Sequence, residues 1–226
     1  MKSGLAFVGS ILVSGTQRRH LFRWIESQRS GYLLNKPSPW LTFDAIEFLK
    51  DLVPTALAVF EYGSGGSTLF WLAVGSVCIS VEHDPDWYEV VSQRIRSNKA
   101  ADYRLVLPEV KNHGSPQSDY SDPDAYASAD ERFHNCSFQR YVSQIDQFPD
   151  QHFDIILIDG RARPSCIKHS VSKVKIGGML VVDNSERDYY FTKTRAYLEP
   201  FQVKEFPGAG PLGKHFWKTS IFIRSS

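Results

Sequence analysis

Residues Val59–Thr68 read VFEYGSGGST: an apolar run ending in a carboxylate, Glu61, then a turn with Gly63, Gly65 and Gly66 that closes on Ser67 and Thr68. A strand, a glycine turn and a helix start form the unit that seats nucleotides in open α/β sheets. The charge in front of the turn narrows the ligand. A dinucleotide fingerprint needs glycine where Thr68 stands, and a phosphate-binding loop needs a Gly-Lys-Ser or Gly-Lys-Thr that the turn lacks. Glu61 repels a phosphate and favours a cation or ordered water, while the glycines let a ligand come close to the backbone.

Outward from this turn, short continuous apolar runs alternate with helix-length segments, the pattern of buried parallel strands joined by crossovers. Strands are expected at Ala56–Phe60, Val77–Val81, Tyr103–Leu107, Phe153–Ile158 and Met179–Val182. Helices are expected at Ser67–Val74, at Pro85–Ser97 with Trp87, Val90, Val91 and Ile95 inward, and at Arg161–Val174. Helical spacing also joins Phe138, Tyr141, Val142 and Ile145, and Gly177-Gly178 reads as a turn. The tail alternates Phe201, Val203 and Phe206, then Ile221 and Ile223, which predicts antiparallel closure. Upstream, Ser38-Pro39-Trp40 reads as a helix start, followed by Phe43, Ile46, Leu49 and Val53 at helical spacing, with Pro54 as the stop. A short amphipathic helix is expected around Leu21–Ile25.

The fold class is therefore α/β: a doubly wound, mostly parallel, seven-stranded Rossmann-like sheet with an antiparallel C-terminal strand. One domain is expected over residues 1–226, with a helical cap at 1–55 and an α/β core at 56–226. A polar insertion at about 109–137 interrupts the core; such long loops tend to be functional lids or disordered segments.

A chain of 226 residues, 42% of them hydrophobic, can build one sizeable core. A net charge of +1 gives no whole-molecule pull toward nucleic acid or an anionic membrane. Cys78, Cys136 and Cys166 are odd in number and far apart, which argues against a disulfide framework or a zinc site and fits a reducing cytoplasm. The apolar stretch Leu5–Val13 falls short of the roughly 20 residues that span a bilayer, and nothing after it resembles a signal cleavage site. A soluble, cytoplasmic protein is expected, with no nucleic-acid partner; the oligomeric state is open.

In a doubly wound sheet, ligands bind beyond the carboxyl ends of the strands. Those ends carry Glu61, Glu82-His83-Asp84, Pro108-Glu109, Asp159-Gly160-Arg161 and Asp183-Asn184. Turns favour Asp and Asn in any case, but four of five ends opening on a carboxylate argue for a site. Glu82 follows Glu61 by 21 positions, where an acidic side chain accepts both hydroxyls of a ribose. A nucleoside that is cationic and lacks phosphate fits both carboxylates.

S-adenosylmethionine answers that description, and the sequence resembles the class I, Rossmann-like methyltransferases. FEYGSGGST is similar to their first motif, with Ser67 at a position where a third glycine is frequent. ISVEHDPDWYEVV is similar to the second, and FDIILIDG and GGMLVVDN to later ones, so the likeness spans roughly residues 56–185. The resemblance implies that Glu61, Gly63, Ser64, Gly65, Ser67, Thr68 and Asp159 help to seat the cofactor, that Glu82 binds its ribose and that His83 flanks its adenine. Methyl transfer to an oxygen, less readily a nitrogen, of a small-molecule or sugar acceptor follows as the expected activity.

A closer likeness is to the metal-dependent catechol- and caffeoyl-type O-methyltransferases, which implies Asp159, Asp183 and Asn184 as ligands of Mg²⁺. Hard oxygen donors of that kind suit the ion, which would lower the pKa of an acceptor hydroxyl. Asp159, Asp183 and Arg161 are the catalytic candidates. One departure bears on mechanism: those enzymes carry a lysine after the first Asp, whereas this chain reads Asp159-Gly160-Arg161-Ala162-Arg163, and arginine does not deprotonate. The alternative for these residues is structural, with Asp159 serving the cofactor and Asp183-Asn184 capping a turn.

Arg161 and Arg163 suit either a clamp on an acceptor carboxylate or phosphate, or neutralisation of the two aspartates. His113 and His134, in the insertion, are candidate bases. Trp40 and Trp87 are the aromatics expected nearest the cofactor, with core packing as their alternative. Two other readings of the whole chain stay open: a nicotinamide-dependent oxidoreductase, and a non-catalytic nucleoside-binding module.

Overall fold

The computed structural model describes residues 2–52, 56–111 and 118–225. Val53, Pro54 and His113 lie outside the described residues.

Five parallel strands form the centre of one sheet: β1 (Ala58–Tyr62), β2 (Val77–Glu82), β3 (Ala101–Leu105), β6 (Phe153–Ile158) and β7 (Val174–Val182). With β8 (Phe201–Gly208) and β9 (Trp217–Arg224), the order is β3-β2-β1-β6-β7-β9-β8, seven strands in all. β9 inserts antiparallel between β7 and β8. The expected mostly parallel sheet with antiparallel closure is the one observed. A two-stranded ladder, β4 (Glu109–Val110) with β5 (Cys136–Ser137), closes the neck of the insertion.

Each central strand splits its side chains between two cores, as the period of two requires. Phe60, Tyr62, Ile156, Ile158, Leu180 and Val182 face one side with Phe138, Tyr141 and Val142 around α7 (Gln139–Val142) and Cys166 and Ile167 of α8 (Arg163–Ser170). Val59, Ile155, Leu157, Val181 and Ile221 face the other. There they meet α1 (Lys2–Val13), α2 (Leu21–Ser27), α4 (Phe43–Leu52) and α5 (Gly66–Ala73). Burying each such side chain contributes about 1.5–3 kcal/mol.

Local expectations shift where tertiary bonds override them. The helix expected from Ser38 starts at Phe43, because Phe43 N donates to Ala209 O (2.8 Å) and Thr42 Oγ1 donates to Phe206 O (2.9 Å), which holds the approach extended. The first strand is Ala58–Tyr62, so Glu61 lies inside it, paired with Ser80 and Leu157 on its two sides. The third strand is displaced toward the N-terminus, to Ala101–Leu105. In α6 (Pro85–Ile95), Val91 and Ile95 are buried, but Trp87 and Val90 are half exposed. α8 begins only at Arg163, since Ala162 takes a left-handed φ of 48°. Gly177-Gly178 is an irregular stretch of β7 rather than a turn between elements: a Cβ on Gly178 would come 2.9 Å from Asp154 O. Among the described residues no helix is long and apolar enough to cross a membrane.

Candidate functional site

The carboxyl ends of β1, β2, β6 and β7 border one cavity of about 450 Å³, within the usual range for small-ligand sites. Its lining brings together Gly63, Ser64, Glu82, His83, Asp159, Arg161, Asp183 and Asn184, which are separated by up to 121 positions in the sequence. Trp40 and Trp87 complete one side, and Gly213, His215 and Trp217 another.

The glycine turn is shaped by close approaches. Gly63 has φ +88°, and a Cβ there would lie 3.0 Å from Gly160 N, so the β1 and β6 turns touch backbone to backbone. Gly65 has φ +150° and carries the edge of the Trp87 indole, whose Nε1 donates to Ser64 O at 2.8 Å. α6 presents that indole because Asp84 caps it, accepting from Asp86 N and Trp87 N at 3.0 Å each, with Pro85 at the first helical position.

Glu82 is the best-held carboxylate of the cavity. Its Oε2 accepts from Ser64 N (3.1 Å) and Ser64 Oγ (2.9 Å), and its Oε1 from His83 N (2.7 Å) and Asp84 N (2.9 Å). Burial alone would raise its pKa, but the donors from His83, Asp84 and Ser64 outweigh it and hold the group below the usual carboxylate range. Glu82 is therefore an anion at neutral pH. Ser64 Oγ also lies 2.7 Å from Tyr103 OH. His83 accepts from Arg161 Nε at 3.3 Å on Nε2, while its Nδ1 lies 2.8 Å from Glu82 Oε1 without the alignment of a hydrogen bond.

Glu61, Ser67 and Thr68 sit beneath the turn instead of in the cavity wall. Glu61 is fully buried; its Oε1 accepts from Ser80 Oγ at 2.6 Å and from Thr68 Oγ1, while Oε2 has no partner. Gly65 N donates to Thr68 Oγ1 at 3.1 Å, so the start of α5 is bonded inward.

Arg163 resolves one of the two arginine readings. Its guanidinium is buried and donates to Gly160 O (3.1 Å), Asp159 O (3.0 Å), Asp159 Oδ1 (3.0 Å) and Asp183 O, tying the ends of β6 and β7 together. Asp183 Oδ1 accepts from Trp217 Nε1 (3.0 Å) and Thr219 Oγ1 (2.6 Å). Burial pushes the Asp159 and Asp183 carboxyls above the usual range against the pull of Arg163, with repulsion from Glu61 adding to it at Asp159 and repulsion from Asp159 adding to it at Asp183. This donor set does not fit a resident Mg²⁺: a divalent ion at Asp159 would face a guanidinium with its bonds already made, and one oxygen of Asp183 is taken by two donors. Asn184, at a left-handed φ of 50°, turns the chain beside them.

Arg161 is placed differently. It reaches from His83 to Asp130 Oδ2 (3.1 Å) and lies over the Phe133 ring. His134 is exposed, outside the cavity, with Nδ1 2.7 Å from Glu131 O of its own turn. The cavity residues missed in the sequence are Gly213, His215 and Trp217, which arrive only because β9 pairs with β7.

No protein-family model and no curated protein matches this sequence. Solved structures do match the fold. A methyltransferase-like protein from Silicibacter pomeroyi is 20% identical with a TM-score of 0.52, over 84% of this chain and 89% of that one. A putative O-methyltransferase from Klebsiella pneumoniae is 13% identical with a TM-score of 0.56, over 100% of this chain and 97% of that one. At such identities the likeness establishes architecture, and function rests on the site. In architecture, the chain has a doubly wound, Rossmann-like fold, shared with these two structures.

Proposed function

We propose that the chain is an S-adenosylmethionine-dependent methyltransferase acting on an oxygen, in preference to a nitrogen, of a small-molecule or sugar acceptor. The observation that carries this reading is Glu82, an ionised carboxylate fixed by four donors at the second strand end, beside the glycine turn and two tryptophans. The bound cofactor supplies an activated methyl group on a cationic sulfur. Glu82 accepts the ribose hydroxyls, and Ser64 Oγ releases Oε2 for them by keeping its second partner, Tyr103 OH. Trp87 and His83 flank the nucleoside, and the Glu82 anion favours a cationic ligand.

On the acceptor side, Asp159 keeps one oxygen on Arg163 and directs the other toward the acceptor hydroxyl, whose proton it takes. Its raised pKa suits a general base. Arg161 orients the acceptor, and holding the two reactants in line supplies most of the rate gain. Because Arg163 pairs with Asp159 and Asp159 itself takes the hydroxyl proton, the proposed reaction needs no magnesium. Isothermal titration with S-adenosylmethionine is the test: wild type binds, and Glu82→Ala weakens binding at least about tenfold, the worth of a charged hydrogen bond. Absence of binding to the wild type would sink the proposal. Turnover unchanged by EDTA is expected, and loss of activity with EDTA would restore the metal-dependent reading.

A further inference from the structure

A second, smaller cavity of about 270 Å³ lies against the first and shares Gly160, Arg161 and Arg163 with it. It is too small for a whole ligand of ordinary size and suits a single functional group. Its charge is lopsided. Arg161, Arg163 and Arg187 line it, against Asp130 as the one carboxylate of the lining. Asp130 is already shared between Arg132 (2.7 Å) and Arg161 (3.1 Å). Arg163 spends its donors on carbonyls and Asp159, so part of its charge still reaches the cavity.

Arg187 is the guanidinium with capacity to spare. Nη1 donates to Tyr190 OH at 3.1 Å, and Nε lies 3.9 Å from Glu186 Oε1, a loose pair with both side chains nearly half exposed. The short turn Asp188–Tyr190, just beyond the end of β7, sets Arg187 and the Tyr189 ring on the cavity. A fork whose partners among the described residues are the Tyr189 and Tyr190 hydroxyls and a loosely held Glu186, facing a pocket lined by three arginines and one aspartate, matches the geometry of bidentate oxyanion recognition.

We infer that this smaller cavity binds an oxyanion of the methyl acceptor, a carboxylate or a phosphate monoester, with Arg187 as its principal ligand and Arg161 on the shared wall. The inference rests on the methyltransferase reading for the word acceptor. The acceptor is then an anionic small molecule whose hydroxyl reaches past Gly160 to Asp159 while its oxyanion stays on Arg187.

Ligand-observed NMR on the cofactor-free protein tests it, with inorganic phosphate and 4-hydroxybenzoate as the two oxyanions and methyl 4-hydroxybenzoate as the neutral control. One oxyanion binds the wild type and identifies its class; the ester does not bind. Arg187→Gln weakens that binding about tenfold or more, and Arg187→Lys, which keeps charge without the fork, weakens it less. Circular dichroism establishes that the variants fold, and the lysine variant carries the comparison if the glutamine one does not. Failure of both oxyanions to bind, equal binding by the ester, or undiminished binding by Arg187→Gln would overturn the inference. Titration of the same variants with S-adenosylmethionine separates the two proposals. Loss of cofactor affinity in Arg187→Gln to the same degree would assign the cavity to the methionine carboxylate and overturn the inference, leaving the methyltransferase reading intact.

Discussion

Glu61 shows how one residue can shape a ligand site without touching its cavity. Its carboxyl is fully buried, with two hydroxyl donors on one oxygen and none on the other, and burial pushes its pKa up to about 7. The native state holds this proton more tightly than the unfolded chain does. Its contribution to stability is therefore complete below about pH 4.5 and is lost as pH climbs through about 7. At about 1.36 kcal/mol per pKa unit, the full loss is on the order of 3 kcal/mol, of which roughly 2 to 3 kcal/mol falls between pH 5 and pH 8. Glu61→Gln removes the titration. Urea unfolding at pH 5 and pH 8 is expected to show wild type losing that much stability relative to the variant on going to the higher pH. Parallel curves would place the Glu61 pKa in the ordinary range.

At the scale of elements, the site depends on two turns pressed together, the glycine turn after β1 and Asp159-Gly160 after β6. A Cβ on Gly160 would meet Tyr141 OH at 2.0 Å, Tyr62 C at 3.0 Å and Gly63 N at 3.1 Å, so Gly160→Ala must push the turns apart. Overpacking of this kind costs about 1–3 kcal/mol. Tyr141 OH is buried without a partner, so Tyr141→Phe is expected to be neutral or stabilising by up to about 1 kcal/mol. The double variant should recover part of the Gly160→Ala loss, because the hydroxyl clash disappears while the backbone contacts stay. A denaturant-based double-mutant cycle measures this coupling, and strict additivity would rule the contact out.

The same elements explain what the sequence could reveal. β1, β2, β6 and the end of β7 are readable because each is a short apolar run buried on both faces, and Phe153–Ile158 is found where its composition puts it; the edge strand β3, ADYRL, is half exposed and lies off its expected bounds. Glu82 is readable at the cavity because neighbouring parallel strands impose a near-fixed spacing between their ends, whereas Glu61, expected to help seat the ligand, lies inside β1 and beneath the turn. Trp217 and His215 are not: their place depends on Ser220 pairing with Val182 across 38 positions, and no local pattern encodes that register. α1 escapes notice because Leu5, Leu12 and Val13 stay exposed, which blurs the periodicity that marks a buried face.

Across the whole molecule, the two ends of the chain build one wall. The helical N-terminal segment is stitched by polar bonds to the β8–β9 connection that brings Gly213, His215 and Trp217 to the cavity. Trp24 Nε1 donates to Gly213 O (2.6 Å), Leu212 N to Ser27 Oγ (3.0 Å) and Ala209 N to Gln17 Oε1 (2.9 Å). Gln17 is the buried hinge of this seam, since its Nε2 also donates to Asp44 Oδ2 at 2.8 Å and its amide packs against Gly208, where no Cβ would fit. Gln17→Leu keeps much of the volume but strands a backbone N–H and removes a donor from Asp44. The expected cost is about 1–3 kcal/mol, read from denaturant unfolding. Gln17 does not line the cavity, yet S-adenosylmethionine affinity should fall with it, because the wall it anchors loses its fixed position. An unfolding midpoint and a cofactor affinity both unchanged in Gln17→Leu would show that the wall stands without the N-terminal segment. A lowered midpoint with unchanged affinity would confine the seam to stability.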